Sequence, residues 1–338
     1  MANKKRKLSG LSRVELLQAY KALNTLKKSF LYEDVDDETQ ADEQADKGAE
    51  RWMELLDKHL EGMLTLIESR LAEPNSFSFP NMDFDILKEE LDITSATHLT
   101  LKSDYDERIQ KSALLGQDKY MSSENMYRHL NMLENLVPKT SEASARLWID
   151  TLFFRSSAMV PPGKSMILNL EYAIPSTTLR SSASSTKLLG NIDPDYTAML
   201  IDSTDAHIVF TSTQIPYIKQ HLPTGFFVTE ANPDGRFLDI HIPQAITEMY
   251  ACARTMQKDI LRGALTNGLD WIFLILYLNR DKKGGSFRQS GTLKICSRRS
   301  LTGHATVLEP EPDAIAGILS YWIENSFQDI GEDDWFQI

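Results

Sequence analysis

Residues 225–232 have the sequence GFFVTEAN, an apolar run that ends in an acid and an amide. The aromatic and β-branched residues at 226–228 predict a buried strand, because such side chains favour strands. Glu230 and Asn232 follow at its carboxyl end. Residues i and i+2 of a strand share a face, so we expect these two side chains to project together. The stretch therefore predicts a buried strand that ends in a polar pair.

The segments before this strand predict a helix and two further strands. Residues 141–159 have a helical pattern that begins at Ser141, a residue type that caps helix N-termini. Residues 166–174, MILNLEYAI, alternate with a period of two, as strands do. A second strand is predicted at 195–201, DYTAMLI. A helix followed by strands thus precedes the polar pair.

The segments after it predict a helix and an apolar strand. Residues 244–258, QAITEMYACARTMQK, follow Pro243 and favour a helix. The continuous apolar run LDWIFLILYL at 269–278 fits the middle of a sheet that is covered on both faces. Four smaller elements are also expected: a strand at 207–211, a short helix at 214–220, a strand at 291–297 and a helix near 311–326. This order predicts an α/β sandwich.

The N-terminal part has a different pattern, with helical spacing and no motif that carries chemistry. Helices are predicted at 10–32, 50–72, 84–91, 105–114 and 122–136. The acidic stretch at 33–50 is interpreted as a solvated loop, with an acidic contact for a basic partner as the alternative. We therefore predict two domains: an all-helical module at 1–138, which would bind a protein partner, dimerise or regulate, and an α/β domain at 139–338.

Composition restricts the class of protein. The 338 residues include 42% apolar ones and carry a net charge of −12, so neither a disordered chain nor a strongly basic nucleic-acid platform is expected. The two cysteines, Cys252 and Cys296, have no zinc spacing, which favours a reducing, intracellular compartment. No apolar run is long enough to span a membrane. The basic cluster at 3–7 is either a nuclear address or a solvated tail, which leaves nuclear and cytoplasmic locations open.

Two acidic residues lie at the ends of predicted strands. Asp195 begins a strand directly after Pro194, and Glu230 lies near the end of another. If the two strands pair, both carboxylates and the backbone carbonyl of Ala231 can converge on one hard cation. Mg²⁺, or Mn²⁺ in its place, prefers such oxygen ligands. Glu171, on the polar face of its strand, is a further candidate ligand, although a surface acid is the simpler interpretation.

The residues Pro194-Asp195 and Glu230-Ala231-Asn232, in this order of elements, resemble the motif of the PD-(D/E)xK nuclease superfamily. The resemblance covers roughly residues 141–278 and extends to fungal proteins of this fold without an assigned activity. It implies a restriction-endonuclease-like α-β-β-β-α-β core and metal-dependent cleavage of phosphodiester bonds in DNA or RNA. Gln244 would match the glutamine of the RecB-like branch, with Tyr250 at a wider spacing than that branch has.

One position departs from the family pattern. The third motif residue is usually lysine, and here it is Asn232, which can orient a water but brings no positive charge. Lys187, Lys219 and Lys258 are candidate sources of the missing cation. The resemblance thus implies an Mg²⁺-dependent endonuclease with Asp195, Glu230, Asn232 and Gln244 at its site. The alternative is a catalytically inactive descendant that binds nucleic acid or protein.

A basic loop follows the last predicted core strand. It contains Arg280, Lys282, Lys283 and Arg288, and Arg298 and Arg299 extend it. It is either a surface that follows a phosphate backbone or a solvated turn. Both interpretations stay open, because the loop follows a strand that would neighbour the site.

Overall fold

The computed structural model describes most of the chain. The described residues are 13–32, 43–72, 75–77, 82–170, 178–180, 185–188, 195–211, 225–231, 238–281, 283–301 and 303–338. Contacts within the chain divide it into two compact units, Met1–Pro74 and Asn75–Ile338. Several features predicted above lie outside the described residues: the basic cluster at 3–7, the acidic residues 33–42, the helix at 214–220, Glu171, Lys219 and Asn232.

The described part of the first unit consists of helices α1 (Arg13–Tyr32) and α2 (Glu43–Ala72). The Tyr20 hydroxyl donates a hydrogen bond of 2.6 Å to the Glu68 carboxylate and ties the two helices together. Helix α2 begins earlier than predicted, so residues 43–50 of the expected acidic loop are helical. Their Glu, Gln, Ala and Lys residues have high helix propensity even without an apolar stripe.

The second unit contains the remaining described elements. Its helices are α3 (Phe84–Glu89), α4 (Tyr105–Leu114), α5 (Ser123–Leu136), α6 (Glu142–Ala158), α7 (Ala206–Thr211), α8 (Ile242–Met256) and α9 (Glu311–Glu324). Its strands are β1 (Asn75–Phe77), β2 (Ile93–Ser95), β3 (Thr100–Leu101), β4 (Lys164–Leu170), β5 (Thr178–Arg180), β6 (Ser185–Leu188), β7 (Tyr196–Asp202), β8 (Gly225–Ala231), β9 (Ile260–Thr266), β10 (Asp270–Leu278), β11 (Gly285–Gln289), β12 (Leu293–Lys294), β13 (Ser297–Arg299), β14 (Ala305–Val307) and β15 (Phe336–Gln337). A 3₁₀ turn, Leu238–His241, leads into α8.

The division between the units falls near residue 74 rather than at the predicted 138. Residues 75–138 include the short strands β1, β2 and β3, and they belong to the second unit. Strand β2 pairs in parallel with β11, with Ile93 opposite Gly285. Helices α4 and α5 bury Ile109 and Met126 in the same core as α6 and α9. This segment is therefore bound by strand pairing and apolar burial to the α/β domain, and it is not purely helical.

Among the described residues, the main sheet has eight strands, in the order β2-β11-β10-β9-β8-β7-β4, with β12 beside β10. Strands β4, β7 and β8 pair antiparallel, and β8 then pairs in parallel with β9. Helix α6 precedes β4, and helix α8 connects β8 to β9. Apart from β5, β6 and α7, which lie between some of these elements, the chain thus passes through α6-β4-β7-β8-α8-β9 before it turns back along β10.

Two of the predicted elements are corrected by the structure. Residues 207–211, expected as a strand, lie in helix α7. The strand that follows α8 is β9, which had not been predicted, and the apolar segment expected in that place is the next strand, β10. Strand β9 escaped prediction because Arg262 and Gly263 interrupt its apolar pattern. These two residues remove the periodic signal on which the assignment depends.

Helices cover both faces of the main sheet. Helix α8 packs on one face, where its apolar residues join those of α3 and β2, and α4, α5, α6 and α9 cover the other. Strand β10 contributes Ile272 and Leu274 to the first face and Trp271 and Phe273 to the second. This confirms the prediction of a strand that is buried on both sides. No helix in the described part of the chain is long and apolar enough to cross a membrane.

Candidate functional site

Asp195 directly precedes β7 and Glu230 lies near the end of β8, so both residues are at the same end of the main sheet. Tyr196 of β7 pairs with Thr229 of β8. Asp195 and Glu230 are each one residue beyond that pair, where the Cα atoms of opposite residues are about 5 Å apart in an antiparallel ladder. Glu230 also pairs with Leu265 of β9. The two strands therefore pair, which the sequence had left as a condition, and we call this end of the sheet the carboxylate edge.

Arg146 of α6 is the immediate partner of Asp195. Its guanidinium lies 2.7 Å from Oδ1 of Asp195 and 2.8 Å from Oε1 of Glu142. The Asp195 side chain is only 14% exposed, against 50% for Glu142. The pair with Asp195 is therefore the better shielded from water and the stronger of the two. A positive charge thus sits directly beside the first motif carboxylate.

Tyr196 and Asp150 form a half-buried polar cluster next to Arg146. The Tyr196 hydroxyl donates to the backbone carbonyl of Arg146 at 3.3 Å, and the Tyr196 ring stacks on Phe153 at 5.5 Å. Burial raises the pKa of the Asp150 carboxyl, whereas the Tyr196 hydroxyl and the Arg146 charge lower it. These contacts hold α6 against the start of β7. The cluster thereby fixes the position of the Arg146 side chain relative to the carboxylate edge.

The turn between β9 and β10 brings α6 close to the same edge. Gly268 in this turn has a φ of +90°, which L side chains rarely adopt. A Cβ atom there would lie 2.8 Å from the Ala145 carbonyl oxygen and 3.1 Å from the Trp148 Cβ. Only glycine therefore permits the close approach. Because Ala145 precedes Arg146, this contact helps to place the guanidinium.

Helix α8 begins at the carboxylate edge, since it follows β8 and returns the chain to the start of β9. Gln244, in its first turn, donates a hydrogen bond of 3.3 Å to Glu248, whose side chain is 3% exposed. Tyr250 lies further along, and its hydroxyl accepts from the Gly284 backbone at 3.3 Å, towards the opposite edge. Gln244 thus lies in the first turn of the helix that follows β8, and Tyr250 contacts the turn between β10 and β11.

The structure describes two of the three lysines that could supply a catalytic cation. Lys258 lies two residues before β9, and its ammonium lies over the Phe327 ring at 4.4 Å. Strand β9 carries the chain from Ile260 to Leu265, the partner of Glu230, over about 17 Å at ~3.3 Å per residue. Lys258 is therefore at the far edge. Lys187 lies in β6 of a separate three-stranded sheet, and Lys219 is outside the described residues.

The basic loop after β10 also lies at the far edge. Tyr277 near the end of β10 pairs with Ile260 at the start of β9, so the loop with Arg280 and Lys283 is at the opposite end from Leu265. The nine residues of β10 separate that loop from the carboxylate edge by about 27 Å. The reason is the unpredicted strand β9, which reverses the direction of the following strand. Lys294 of β12, by contrast, pairs with Asp270 at the carboxylate edge.

The oxygen-bearing groups at this edge are of the type that binds a hard divalent cation. Asp195, Glu230 and the Ala231 carbonyl would supply the oxygen ligands that Mg²⁺ prefers. Within the described residues, however, no three His, Cys, Asp or Glu side chains are grouped closely enough to hold a metal ion. Asp195 is engaged by Arg146 through Oδ1. A metal would therefore have to share that carboxylate with the guanidinium or displace it.

Arg146 and Glu248 were missed by sequence reasoning. Arg146 had a signal, because Glu142, Arg146 and Asp150 are spaced by four and share one face of a predicted helix. Glu248 had none, since an acid in an amphipathic helix is usually exposed. The contact of Arg146 with Asp195 follows from the packing of α6, and the burial of Glu248 follows from the packing of α8. Neither is visible from strand order alone.

Comparison with known proteins gives no family for this chain. It matches no model of a protein family and no curated protein. The carboxylate edge is therefore interpreted from its geometry, its charges and the order in which the strands reach it. These three properties carry the functional proposal.

Proposed function

We propose that the second unit is a metal-dependent nuclease that cleaves phosphodiester bonds. The observation that carries the proposal is the pairing that sets Asp195 beside Glu230 where β7 and β8 meet. Support comes from the path α6-β4-β7-β8-α8-β9, with three antiparallel strands and then a parallel one. That is the order implied by the resemblance to the PD-(D/E)xK superfamily.

Each residue at the edge has a role in this proposal. Asp195, Glu230 and the Ala231 carbonyl would hold Mg²⁺ or Mn²⁺, with Glu171 as a further ligand. When bound, the metal would neutralise charge on the phosphate and lower the pKa of a water. Asn232 would orient the attacking water by a hydrogen bond, and Gln244 would position Glu248 behind the site. Arg146 would supply the positive charge that the asparagine lacks.

The proposal predicts cleavage that depends on both carboxylates. Supercoiled plasmid and single-stranded RNA are incubated with Mg²⁺ or Mn²⁺, and product formation is followed on gels. Asp195→Ala and Glu230→Ala are each expected to lower the rate by about 100-fold or more, because metal stabilisation of the transition state is worth several kcal/mol. Asp202→Ala is the matched control. It removes an acid from the other end of β7, where Asp202 pairs with Lys164 at the surface.

The expected result is that Asp202→Ala cuts like the unmodified protein and both site variants fail. Equal rates in all three variants would show that any cleavage arises elsewhere. No cleavage of either nucleic acid by the unmodified protein, combined with no heat of Mn²⁺ binding, would rule out the metal site.

The ion pair between Arg146 and Asp195 favours a second candidate function, a nuclease-fold protein that binds without cutting. At 2.7 Å the guanidinium competes with a metal for the same carboxylate oxygen. Under this hypothesis Arg146→Ala is expected to raise Mn²⁺ affinity about tenfold in calorimetry, because a nearby like charge disfavours cation binding. Arg128→Ala, which breaks an exposed pair with Glu124 on α5, is the control. Unchanged affinity in Arg146→Ala would remove the case for a blocked site.

A further inference from the structure

Helix α2 of the first unit carries two apolar stripes, one buried and one exposed. Leu60 and Ile67 are buried, at 6% and 3% exposure, and α1 is the helix that α2 contacts in its unit. Leu55 and Leu66, by contrast, are 50% and 59% exposed. At 3.6 residues per turn, the two pairs lie about 120° apart around the helix. An exposed apolar stripe of this kind marks a contact with a further partner.

The exposed stripe has the spacing of a coiled-coil contact and contains no acidic residue, lysine or arginine. Its members are exposed and follow one another at intervals of four and three residues: Leu55, His59, Gly62, Leu66 and Ser69. This alternation is the repeat by which two helices interlock, and we call the five residues the α2 seam. Because the chain has a net charge of −12, an uncharged seam is where an equally acidic second copy can approach with least repulsion.

Gly62 lies in the middle of the α2 seam and is not explained by the hairpin itself. A glycine inside a helix lowers its stability relative to alanine. The backbone at this position is helical and does not require glycine. A Cβ atom added there would meet nothing within 4 Å in the part of the chain that the structure describes. A glycine without a local reason indicates that a group from outside the hairpin comes close to the backbone.

The α2 seam is complementary to itself when two copies of the helix run antiparallel. A two-fold axis beside positions 60 and 61 sets Leu55 of one copy against Leu66 of the other, twice by symmetry. The same axis sets His59 against Gly62, so the ring enters the space that the absent side chain leaves. Each layer thus pairs two leucines or a large residue with a small one, which is the arrangement that fills a helix contact without voids.

We propose that the α2 seam is the interface of a homodimer, in which the α2 helices of two copies of the chain pack antiparallel. For the N-terminal part, the sequence had left a protein partner, dimerisation and regulation open. The exposure of the seam, its lack of charge and the position of Gly62 favour a second copy and assign the register. The inference does not depend on the nuclease proposal, because no residue of the second unit takes part.

Sedimentation equilibrium measures the assembly. The unmodified protein is expected to have twice the chain mass of 38.4 kDa at about 20 µM. Leu55→Lys and Leu66→Glu should each raise the dissociation constant of the dimer about 100-fold, because each places two charges in an apolar contact. Phe210→Glu is the matched control. It adds a charge at a side chain that is 72% exposed on α7 of the second unit, and it should leave the dissociation constant unchanged.

A mixture of Leu55→Lys and Leu66→Glu tests the antiparallel register. In that register one introduced lysine faces one introduced glutamate, and the other layer keeps its two leucines. The mixture should therefore recover the affinity of the unmodified protein to within about tenfold. A parallel pair would set position 55 against position 55 and would gain nothing from mixing.

Gly62→Ala tests the close approach of the two helices. Alanine favours the helix, so circular dichroism should show an equal or larger helix content than in the unmodified protein. The dissociation constant should nevertheless rise about tenfold, because the added methyl group lies where the His59 ring of the other copy packs. A weaker dimer in this variant therefore has no explanation in lost folding.

The inference is overturned by a monomeric mass at about 100 µM, by unchanged dimerisation in both single variants, by a mixture no tighter than its components, or by an equal loss in Phe210→Glu. A Gly62→Ala dimer as tight as the unmodified one would exclude the close approach. A monomer that Leu55→Lys destabilises in urea would identify the second unit of the same chain as the partner of the seam, because a change at a free surface position has little effect on stability.

Discussion

Replacing Arg262 with methionine is expected to destabilise the second unit by about 3–5 kcal/mol. The guanidinium lies 2.7 Å from Oδ2 of Asp334, and the two side chains are 1% and 0% exposed. Arg262 also donates to the backbone carbonyls of Gln328 and Asp329 at 3.1 and 3.0 Å. Methionine fills similar volume but leaves a buried carboxylate without its counter-charge. The loss thus combines an uncompensated charge with two unpaired carbonyls.

Tryptophan fluorescence during urea unfolding measures this loss. Four of the five tryptophans, Trp148, Trp271, Trp322 and Trp335, belong to the second unit, so the signal reports mainly on it. Lys164→Met is the control, because it breaks the exposed pair with Asp202 and should cost no more than about 1 kcal/mol. A loss in Arg262→Met no larger than in Lys164→Met would show that the buried pair contributes little.

Replacing Arg155 with methionine is the second change for which we expect a large effect, on the order of 3 kcal/mol or more. Its buried guanidinium donates to four backbone carbonyls, two in the last turn of α4 and two between α4 and α5. The acceptors are Ser112 and Leu115 at 2.8 Å, Met121 at 3.2 Å and Ala113 at 3.4 Å. Methionine donates no hydrogen bond. All four carbonyls would lose this donor.

Hydrogen exchange distinguishes this effect from a general loss of stability. In Arg155→Met, the amides of residues 112–122 should exchange faster under conditions in which the β10 amides remain protected. Arg155→Lys keeps a charge and some donors but lacks the planar fork, so an intermediate effect is expected. Protection of residues 112–122 equal to that of the unmodified protein would contradict the role assigned to Arg155.

The elements with a clear period could be predicted from the sequence. Helix α6 was expected at 141–159 and is found at Glu142–Ala158, and the predicted cap Ser141 accepts from the Ser144 amide at 3.2 Å. Strand β10 was recognised from its unbroken apolar run. These elements are predictable because local backbone preference and side-chain burial indicate the same structure.

The position of the basic loop could not be predicted, because it depends on one unrecognised strand. Arg262, which interrupts the apolar pattern of β9, is the residue that binds Asp334 across 72 positions of sequence. The ion-pair partner of this buried charge, Asp334, cannot be recognised from a local sequence pattern. Once β9 is omitted, the direction of β10 is reversed, so the end of the sheet at which Arg280 lies could not be inferred.

The strands that carry the candidate site could be predicted from the sequence, whereas its charged contacts could not. The sequence made the pairing of the two strands a condition for the site, and the register of β7 with β8 meets that condition. The roles of Glu171, Asn232 and Gln244 stay predictions. The contact of Arg146 with Asp195 depends on how closely α6 approaches the sheet at Gly268. The distance between α6 and the sheet depends on side-chain packing, which leaves no periodic pattern in the sequence.

Strand β10 has a consequence for the unfolded chain. Residues 271–278 combine high β-propensity with no charge and no proline, the properties of segments that form intermolecular sheets. The adjacent strands β9 and β11 join it through short turns, so both of its edges can be paired early by local hairpins. Asp270 before it and Arg280 and Asp281 after it act as charged gatekeepers. Resistance to aggregation during folding therefore depends on these two hairpins closing before two chains meet.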